Sequence, residues 1–407
     1  MAASPHDRIA DTHWYRADFD WFFVQQAQAL GAEYVDRVEL KECEEDGAGG
    51  MVLRGMRNGD DYVVNVRFAI DATGPRGFLH RTLKLKEREL PGFPATQVLY
   101  SHFAPVGRLV EPRWDRAPYP VEAAAVHHVF DGGWVWLLRF NNGVTSAGVA
   151  AVDSLANELN LREGAPGWDR LLAELPALRE QFACAKSVEP FHHIGRPAFR
   201  SASIASQNWA LLPSAAGFVD PLLSTGFPLT LFGIARLAEA IERDWGTNRF
   251  ETQLAAYAAQ TDGDLIATAR LIGALYANMG SFSVFSALCL LYFAAASYSE
   301  TARRLGKRHL ASSFLLHDHP QFGPECRRVL ERARTVHRGE ESNALIDEVF
   351  RVIEPFDVAG FGRRERRGWY PAEAEDMLCS AGKLSASRDE VLQMLERCGF
   401  RAATSCS

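Results

Sequence analysis

The apolar positions along the 407-residue chain change period several times, and each change marks an element. In "FDWFFVQQAQALGAEYVDRVEL", Phe19, Phe22, Phe23, Ala27 and Leu30 recur at helical spacing. The spacing predicts a helix that Gly31 ends. "AEYVDRVEL" then alternates as a strand does. Turn-rich "EEDGAGG" and "RNGDD" separate "MVLRGM" from "YVVNVRFAIDATG", so the pattern predicts a hairpin and then an apolar strand over Phe68–Ile70 that stops at Asp71-Ala72-Thr73-Gly74.

From about 86 to 200, strand-like pieces alternate with prolines and turns: "TQVLYSHFAPV", "AAAVHHVF", "GGWVWLLRF" and "TSAGVAAV". They read as an antiparallel sheet over a ligand cavity, interrupted by one helix, "GWDRLLAELPALREQFA". After Phe250 the pattern is mainly helical. The pattern therefore divides the chain into a mixed helix-and-strand segment over 1–85, the sheet over 86–200, a short segment over 201–245 and a helical region over 246–407.

Between Arg270 and Glu300 no residue carries a formal charge. By length this run could span a bilayer. Asn278, Gly280, Ser281, Ser283 and Ser286 dilute its first half and no polybasic flank stands out, so buried helices around an apolar cavity are expected in preference to membrane contact. Net charge is −7, which gives no electrostatic case for nucleic acid. Seven scattered cysteines without a C-x-x-C pair argue against a zinc ribbon or disulfide framework and fit a reducing cytoplasm. The start, "MAASPHDRIADTHWYR", has no apolar signal-peptide core.

Two small-residue turns carry the chemistry. The first is Ala72-Thr73-Gly74 at the end of a strand, where Gly74 lets backbone approach a ligand closely. The second is "LPSAAGFVDPLLSTGFPLT" (212–230). Ser214, Ala215, Ala216 and Gly217 are small, Pro221 fixes the backbone beside Asp220, and Ser224 and Thr225 can cap a helix that opens near Gly226. Pro228 suits its first turn. The amino end of such a helix attracts negative charge. Asp220 can equally cap a turn or relay protons; the capping role is favoured.

The order of these motifs, and the run Pro213–Pro221 with F-V-D-P and then S-T-G, resembles the flavin-dependent halogenases and the related geranylgeranyl-reductase-like oxidoreductases. That resemblance implies an α/β FAD-binding fold of the glutathione-reductase-like, Rossmann type, with an inserted antiparallel β-sheet substrate domain and a helical C-terminal region. It implies FAD along Ala72–Gly74, Ser214–Gly217, Asp220 and Pro221, with Ser224, Thr225 and Gly226 bordering the halide or the flavin. It also implies a small organic substrate beside Trp134, Trp136 and Phe285, and reducing equivalents from a separate flavin reductase or NAD(P)H. The implied reaction oxygenates or halogenates an apolar or aromatic molecule, and no residue takes the catalytic lysine's role.

Three departures from the family pattern stand out. The opening G-x-G-x-x-G, which holds pyrophosphate, is absent, and a βαβ opening takes about 30 residues or more. The chain is therefore expected to be incomplete at its amino end, or to have lost its nucleotide cradle. Pro213-Ser214 stands where the family has Gly-Asp. Trp134-Val135-Trp136-Leu137-Leu138-Arg139 stands for W-x-W-x-I-P, and ordinary sheet packing explains its tryptophans equally well. A saturating, prenyl-binding reductase and a non-catalytic remnant that binds an apolar ligand remain open. His317-Asp318-His319 and His192-His193 lack the spacing of a metal site, so no metal is expected. The basic run 363–367 reads as a solvated loop.

Overall fold

The computed structural model describes residues 13–109, 122, 124–336, 339–363 and 373–400. The chain divides into two compact units, one formed by 14–91 with 196–269, the other by 92–195 with 270–407.

In the first unit, strands Val38–Glu45, Met51–Arg57 and Asp60–Val66 form an antiparallel meander. Its second turn is Asn58-Gly59, both at positive φ (53° and 99°), the pairing that matches the twist of a tight hairpin. Strand Ala69–Asp71 then pairs in parallel with Trp209–Leu211, Ile70 opposite Ala210. Its other edge meets no strand among the described residues. Helix Gly226–Asp244 buries Leu229, Gly233, Leu237 and Ala240. Gly233 brings it against the Leu212 turn, since a Cβ there would lie 2.3 Å from Cγ of Pro213.

The predicted opening helix forms over Arg16–Ala29, yet none of its residues is buried. Trp21, Phe22 and Phe23 are each about half exposed. Its aromatics meet mainly one another: Trp14 stacks on Phe19 at 4.2 Å and touches Phe227 at 5.1 Å. The strand expected over 32–40 begins only at Val38, because Arg37 takes a left-handed turn (φ 55°) just before it.

In the second unit, Thr96–Ala104, Thr145–Val152, Gly133–Arg139 and Val126–Phe130 form consecutive antiparallel neighbours, with Lys186–Ser187 and His192–Ile194 on the far edge. One face holds the main core, including Leu99, Phe103, Val135, Leu137 and Val149. Helices Ala165–Glu174 and Pro176–Phe182 supply Trp168, Leu171 and Phe182 to it. One helix was expected here; Pro176 splits it by forcing Leu175 to an extended ψ of 82°.

The uncharged run becomes the end of helix Phe250–Tyr276 and most of helix Phe282–Arg304. The second is long and apolar enough to cross a membrane. Leu288, Leu291, Ala294, Ala295 and Ala302 along it are nevertheless sealed in protein, and helix Glu340–Ile353 packs against it. Burial in protein satisfies the same apolar surface that lipid would.

Candidate functional site

Because Ala69–Asp71 and Trp209–Leu211 run side by side in the same direction, their carboxyl ends deliver the two small-residue turns together. The Leu212 amide donates to the Asp71 carbonyl at 2.9 Å and joins the two. Ligands of open α/β sheets bind at such carboxyl ends.

The first turn is tied by Asp71, 4 % exposed. Its Oδ1 accepts from the Thr73 amide (2.7 Å) and the Thr73 hydroxyl (2.6 Å), and its Oδ2 from the Leu79 amide (2.7 Å). Thr73 Oγ1 in turn accepts from the Phe78 amide at 2.6 Å. Gly74 sits at φ +84° and a Cβ there would meet nothing within 4 Å, so the turn faces open space.

The second turn begins with a short helix, Pro213–Ala216, followed by strand Gly217–Phe218, which pairs with Phe199–Ser201. Ser214, Ala215 and Ala216 lie in that helix, and Gly217 lets Leu265 approach to where a Cβ would stand 2.6 Å away. Asp220 is buried, and its Oδ1 accepts from the Leu222 amide at 2.9 Å, the turn-capping arrangement. Leu223 and Ser224 both take left-handed φ (60° and 52°). Such a conformation costs a non-glycine residue about 1–2 kcal/mol, and strain of this kind clusters at functional turns.

Helix Gly226–Asp244 follows without a side-chain cap. The capping expected of Ser224 and Thr225 does not occur: Thr225 is buried in αR conformation (φ −61°, ψ −25°), which turns its hydroxyl from the first amides. No side chain caps the first amides of this helix, and a Cβ on Gly226 would enter open space. Uncapped helix amides and the helix dipole favour an anion or an electron-rich oxygen there.

Sequence reading missed Tyr257. Its hydroxyl donates to the Leu211 carbonyl at 2.7 Å, and burial pushes its pKa up, keeping it a donor. Tyr257→Phe is expected to cost about 1–2 kcal/mol; paired urea titrations of the two proteins check this, and an unchanged midpoint contradicts it.

Among the described residues no group of three His, Cys, Asp or Glu side chains could hold a metal ion. Asp318 is held by Ser312 and Ser313, which pull its pKa down against the upward effect of burial. Arg364 to Arg367 lie outside the described residues.

In the other unit, Trp134 is 1 % exposed and its Nε1 donates to the Tyr276 hydroxyl at 3.2 Å. Trp136, half-buried, lies 5.6 Å from it. Phe285 stacks on Phe282 rather than on either tryptophan. Arg139, in the family's proline position, donates to the Val106 and Gly107 carbonyls and pairs with Glu122 at 3.0 Å. It fastens the 106–107 loop to the strand end.

His127 sits over Trp134 at 4.7 Å. Burial, then the neighbouring His128, lowers its pKa from 6.5 to about 4. The unfolded chain therefore takes up this proton first, so stability falls as pH drops from 6.5 toward 4 and is unaffected by this group above that range. Burial shifts His128 the same way. Urea midpoints at pH 7 and pH 5 are expected to fall with acidification, and to fall less in His127→Phe; equal falls contradict the assignment.

The family model described as tryptophan halogenase matches residues 12–278, more than half of the chain. The chain belongs to the tryptophan halogenase family. Relatives of this halogenase-family chain include monodechloroaminopyrrolnitrin halogenase PrnC of Pseudomonas fluorescens, 27% identical over 260 residues, covering 59% of this chain and 44% of that one. Tetracycline 7-halogenase of Kitasatospora aureofaciens is 26% identical over 266 residues, covering 62% and 47%. The chain thus spans about half the length of the curated relatives it matches. Among solved structures, halogenase PltM shares the fold with a TM-score of 0.74 at 23% identity, over 87% of this chain and 76% of that one. The PltM complex with phloroglucinol and FAD gives 0.72 at 22% identity, over 87% and 76%. The α/β architecture with antiparallel sheets and a helical C-terminal region is thus the one expected.

Proposed function

We propose that this chain carries the flavin-facing turns and the substrate-side sheet of an FAD-dependent halogenase acting on a small aromatic or pyrrole-like molecule. One observation supports this most directly: two adjacent parallel strands end at Asp71 and Leu211 in turns with open space before Gly74 and before the uncapped amides of Gly226. These residues fit a flat, electron-rich cofactor. Ala72–Gly74, Ser214–Gly217, Asp220 and Pro221 would hold FAD, with Ser224, Thr225 and Gly226 at its edge. The parallel strand Ala69–Asp71 runs through Gly74 and Gly77 into the short helix Phe78–Thr82, but the G-x-G-x-x-G spacing of a pyrophosphate cradle does not occur in the sequence.

FAD held by these residues would supply, with O₂ as the oxidant, the oxidising equivalent that a halide needs to become electrophilic. The protein's own part is narrower. Asp71 and Thr73 hold the first turn, Tyr257 fixes the carbonyl of Leu211, and the Gly226 and Phe227 amides stabilise negative charge. A separate flavin reductase using NAD(P)H supplies the reduced cofactor.

The test supplies the chain with FAD, a flavin reductase, NADH, O₂, and phloroglucinol or a pyrrole, with and without chloride or bromide. The reading predicts product heavier by one halogen, formed only with halide. Product formed equally without halide supports the reductase alternative. Absence of flavin binding supports a remnant that binds an apolar ligand.

A further inference from the structure

Asp71 fastens the first turn from within, and Arg76 fastens it from outside. Arg76 takes a left-handed conformation (φ 51°) two residues past Gly74. From there its guanidinium meets three separate acceptors. Nε donates to Glu87 Oε1 at 2.7 Å and Nη2 to Glu87 Oε2 at 3.2 Å. Nη1 donates to the Arg196 carbonyl and Nη2 to the Ala198 carbonyl, both at 3.0 Å. The same group lies 4.8 Å from the centre of the Phe199 ring, which His80 meets edge to face at 5.7 Å. Phe199 is buried.

Those acceptors belong to the sheet that carries the second turn. Strand Phe199–Ser201 lies between strands Glu87–Arg88 and Gly217–Phe218. Arg200 stands opposite Arg88 on one side and opposite Gly217 on the other, and Phe199 stands opposite Phe218. Arg76 thus grips the outer strand at Glu87 and the approach to the middle strand at Ala198 and Phe199, while the remaining strand is part of the second turn itself. The Leu212 amide and the Asp71 carbonyl join the two turns where their parallel strands end. Beyond that point each turn leaves separately, the first toward helix Phe78–Thr82 and the second toward Gly217–Phe218. Arg76 closes the loop a second time, further out. An ion pair a quarter exposed, as Arg76 and Glu87 are, contributes modestly by itself. The planar fork, however, reaches a carboxylate and two carbonyls at once, which a lysine ammonium cannot do.

We propose that Arg76 is a positioning residue: its guanidinium locks the turn after Asp71 to the sheet that carries the turn after Leu211, so that both present their backbone to a flavin at one fixed spacing. Sites of this kind depend on supporting residues that hold their geometry to within about 0.5 Å. Arg76 acts through the two turns and its guanidinium is already occupied by Glu87 and the two carbonyls. The assignment rests on the flavin reading for its ligand, but the coupling between the turns exists without flavin, so the two fail separately.

The test has two arms, both on Arg76→Met, which keeps the stem and removes the fork. In the flavin-free chain, amide hydrogen exchange is expected to rise about tenfold, the effect of about one hydrogen bond. It should rise both at 73–79 and at 217–218, and stay unchanged at 149–152 in the other unit. Arg76→Lys, which keeps the charge, should raise exchange at both places by a smaller factor. Titrated with FAD, Arg76→Met is expected to bind about tenfold more weakly, and its flavin at saturation to give a visible circular dichroism spectrum different from that of wild type. Lost stability alone lowers the fraction bound and leaves the spectrum of the bound flavin as it was. Exchange that rises at 73–79 but not at 217–218 overturns the proposal, and so does wild-type affinity with a wild-type spectrum in Arg76→Met. If thermal melts show Arg76→Met to be unfolded, Arg76→Lys is read against the same two outcomes. Absence of FAD binding by wild type removes the flavin reading, and the exchange arm then decides whether Arg76 couples the turns.

Discussion

Asp71→Ala is expected to lower the unfolding free energy by about 3–5 kcal/mol, toward the far end of what single substitutions do. The reason is the number of donors aimed at one buried carboxylate. The Thr73 amide, the Thr73 hydroxyl and the Leu79 amide all point at it, at 2.6–2.7 Å. Hydrogen bonds to a charged group contribute about 1.5–3 kcal/mol each, and the buried Leu79 amide, left without its acceptor, would carry its full desolvation cost. The three are coupled through Thr73, so their effects do not simply add. Asp71→Asn should cost less, since one oxygen remains, but its amide faces donors and cannot satisfy them all. Urea unfolding of both variants checks the order. A loss below about 1 kcal/mol for Asp71→Ala would show that water replaces the carboxylate and that the turn is not held as described.

The second large effect is on the cofactor. Gly74→Val is expected to weaken FAD binding by at least about tenfold, or 1.4 kcal/mol, with a smaller loss of stability. Gly74 stands at φ +84°, which a β-branched residue adopts only as an outlier. Its missing Cβ opens onto empty space, so valine would not collide with the protein. The side chain would instead occupy the volume proposed for the flavin. Gly59, also at positive φ (99°) with open space before it, is the matched control: Gly59→Val carries a similar backbone strain in a hairpin with no part in the site. The account expects FAD affinity to fall in the first variant and to hold in the second. Equal losses in both would assign the effect to strain alone.

How far the chain could be read in advance follows from the range of the signals. The Asp-Ala-Thr-Gly turn and the 212–230 run were legible because strand, proline and glycine cues are local. The Asn58-Gly59 hairpin was legible for the same reason. That the two turns adjoin was implied by resemblance and is explained by the parallel pairing of Ile70 with Ala210, across 140 positions of sequence. Ser224 and Thr225 were expected to cap the helix because that is what their side chains do in isolation. The left-handed step at Leu223 and Ser224, imposed by the surrounding fold, turns the chain so that no side chain caps the first amides.

Asp71 was visible only as the end of a strand, since its three donors come from the turn that follows. Tyr257 reaches Leu211 from a helix 46 positions away, with no local cue. The same holds for Arg76, whose farthest acceptor, the Ala198 carbonyl, lies 122 positions away. Trp134, read as a candidate for the substrate side, proves to be sealed against Tyr276, while its neighbour Trp136 keeps an accessible face. The opening helix was predicted from its aromatic spacing, and that spacing buries nothing among the described residues.

The central claim is that the turns after Asp71 and Leu211 hold a flavin, and titration of the purified chain with FAD, followed by flavin fluorescence and by absorbance between about 300 and 550 nm, tests it most directly. The account predicts saturable binding with a perturbed flavin spectrum, weakened in Gly74→Val and retained in Gly59→Val. Absence of saturable binding by a folded chain, or binding indifferent to Gly74→Val, would contradict it.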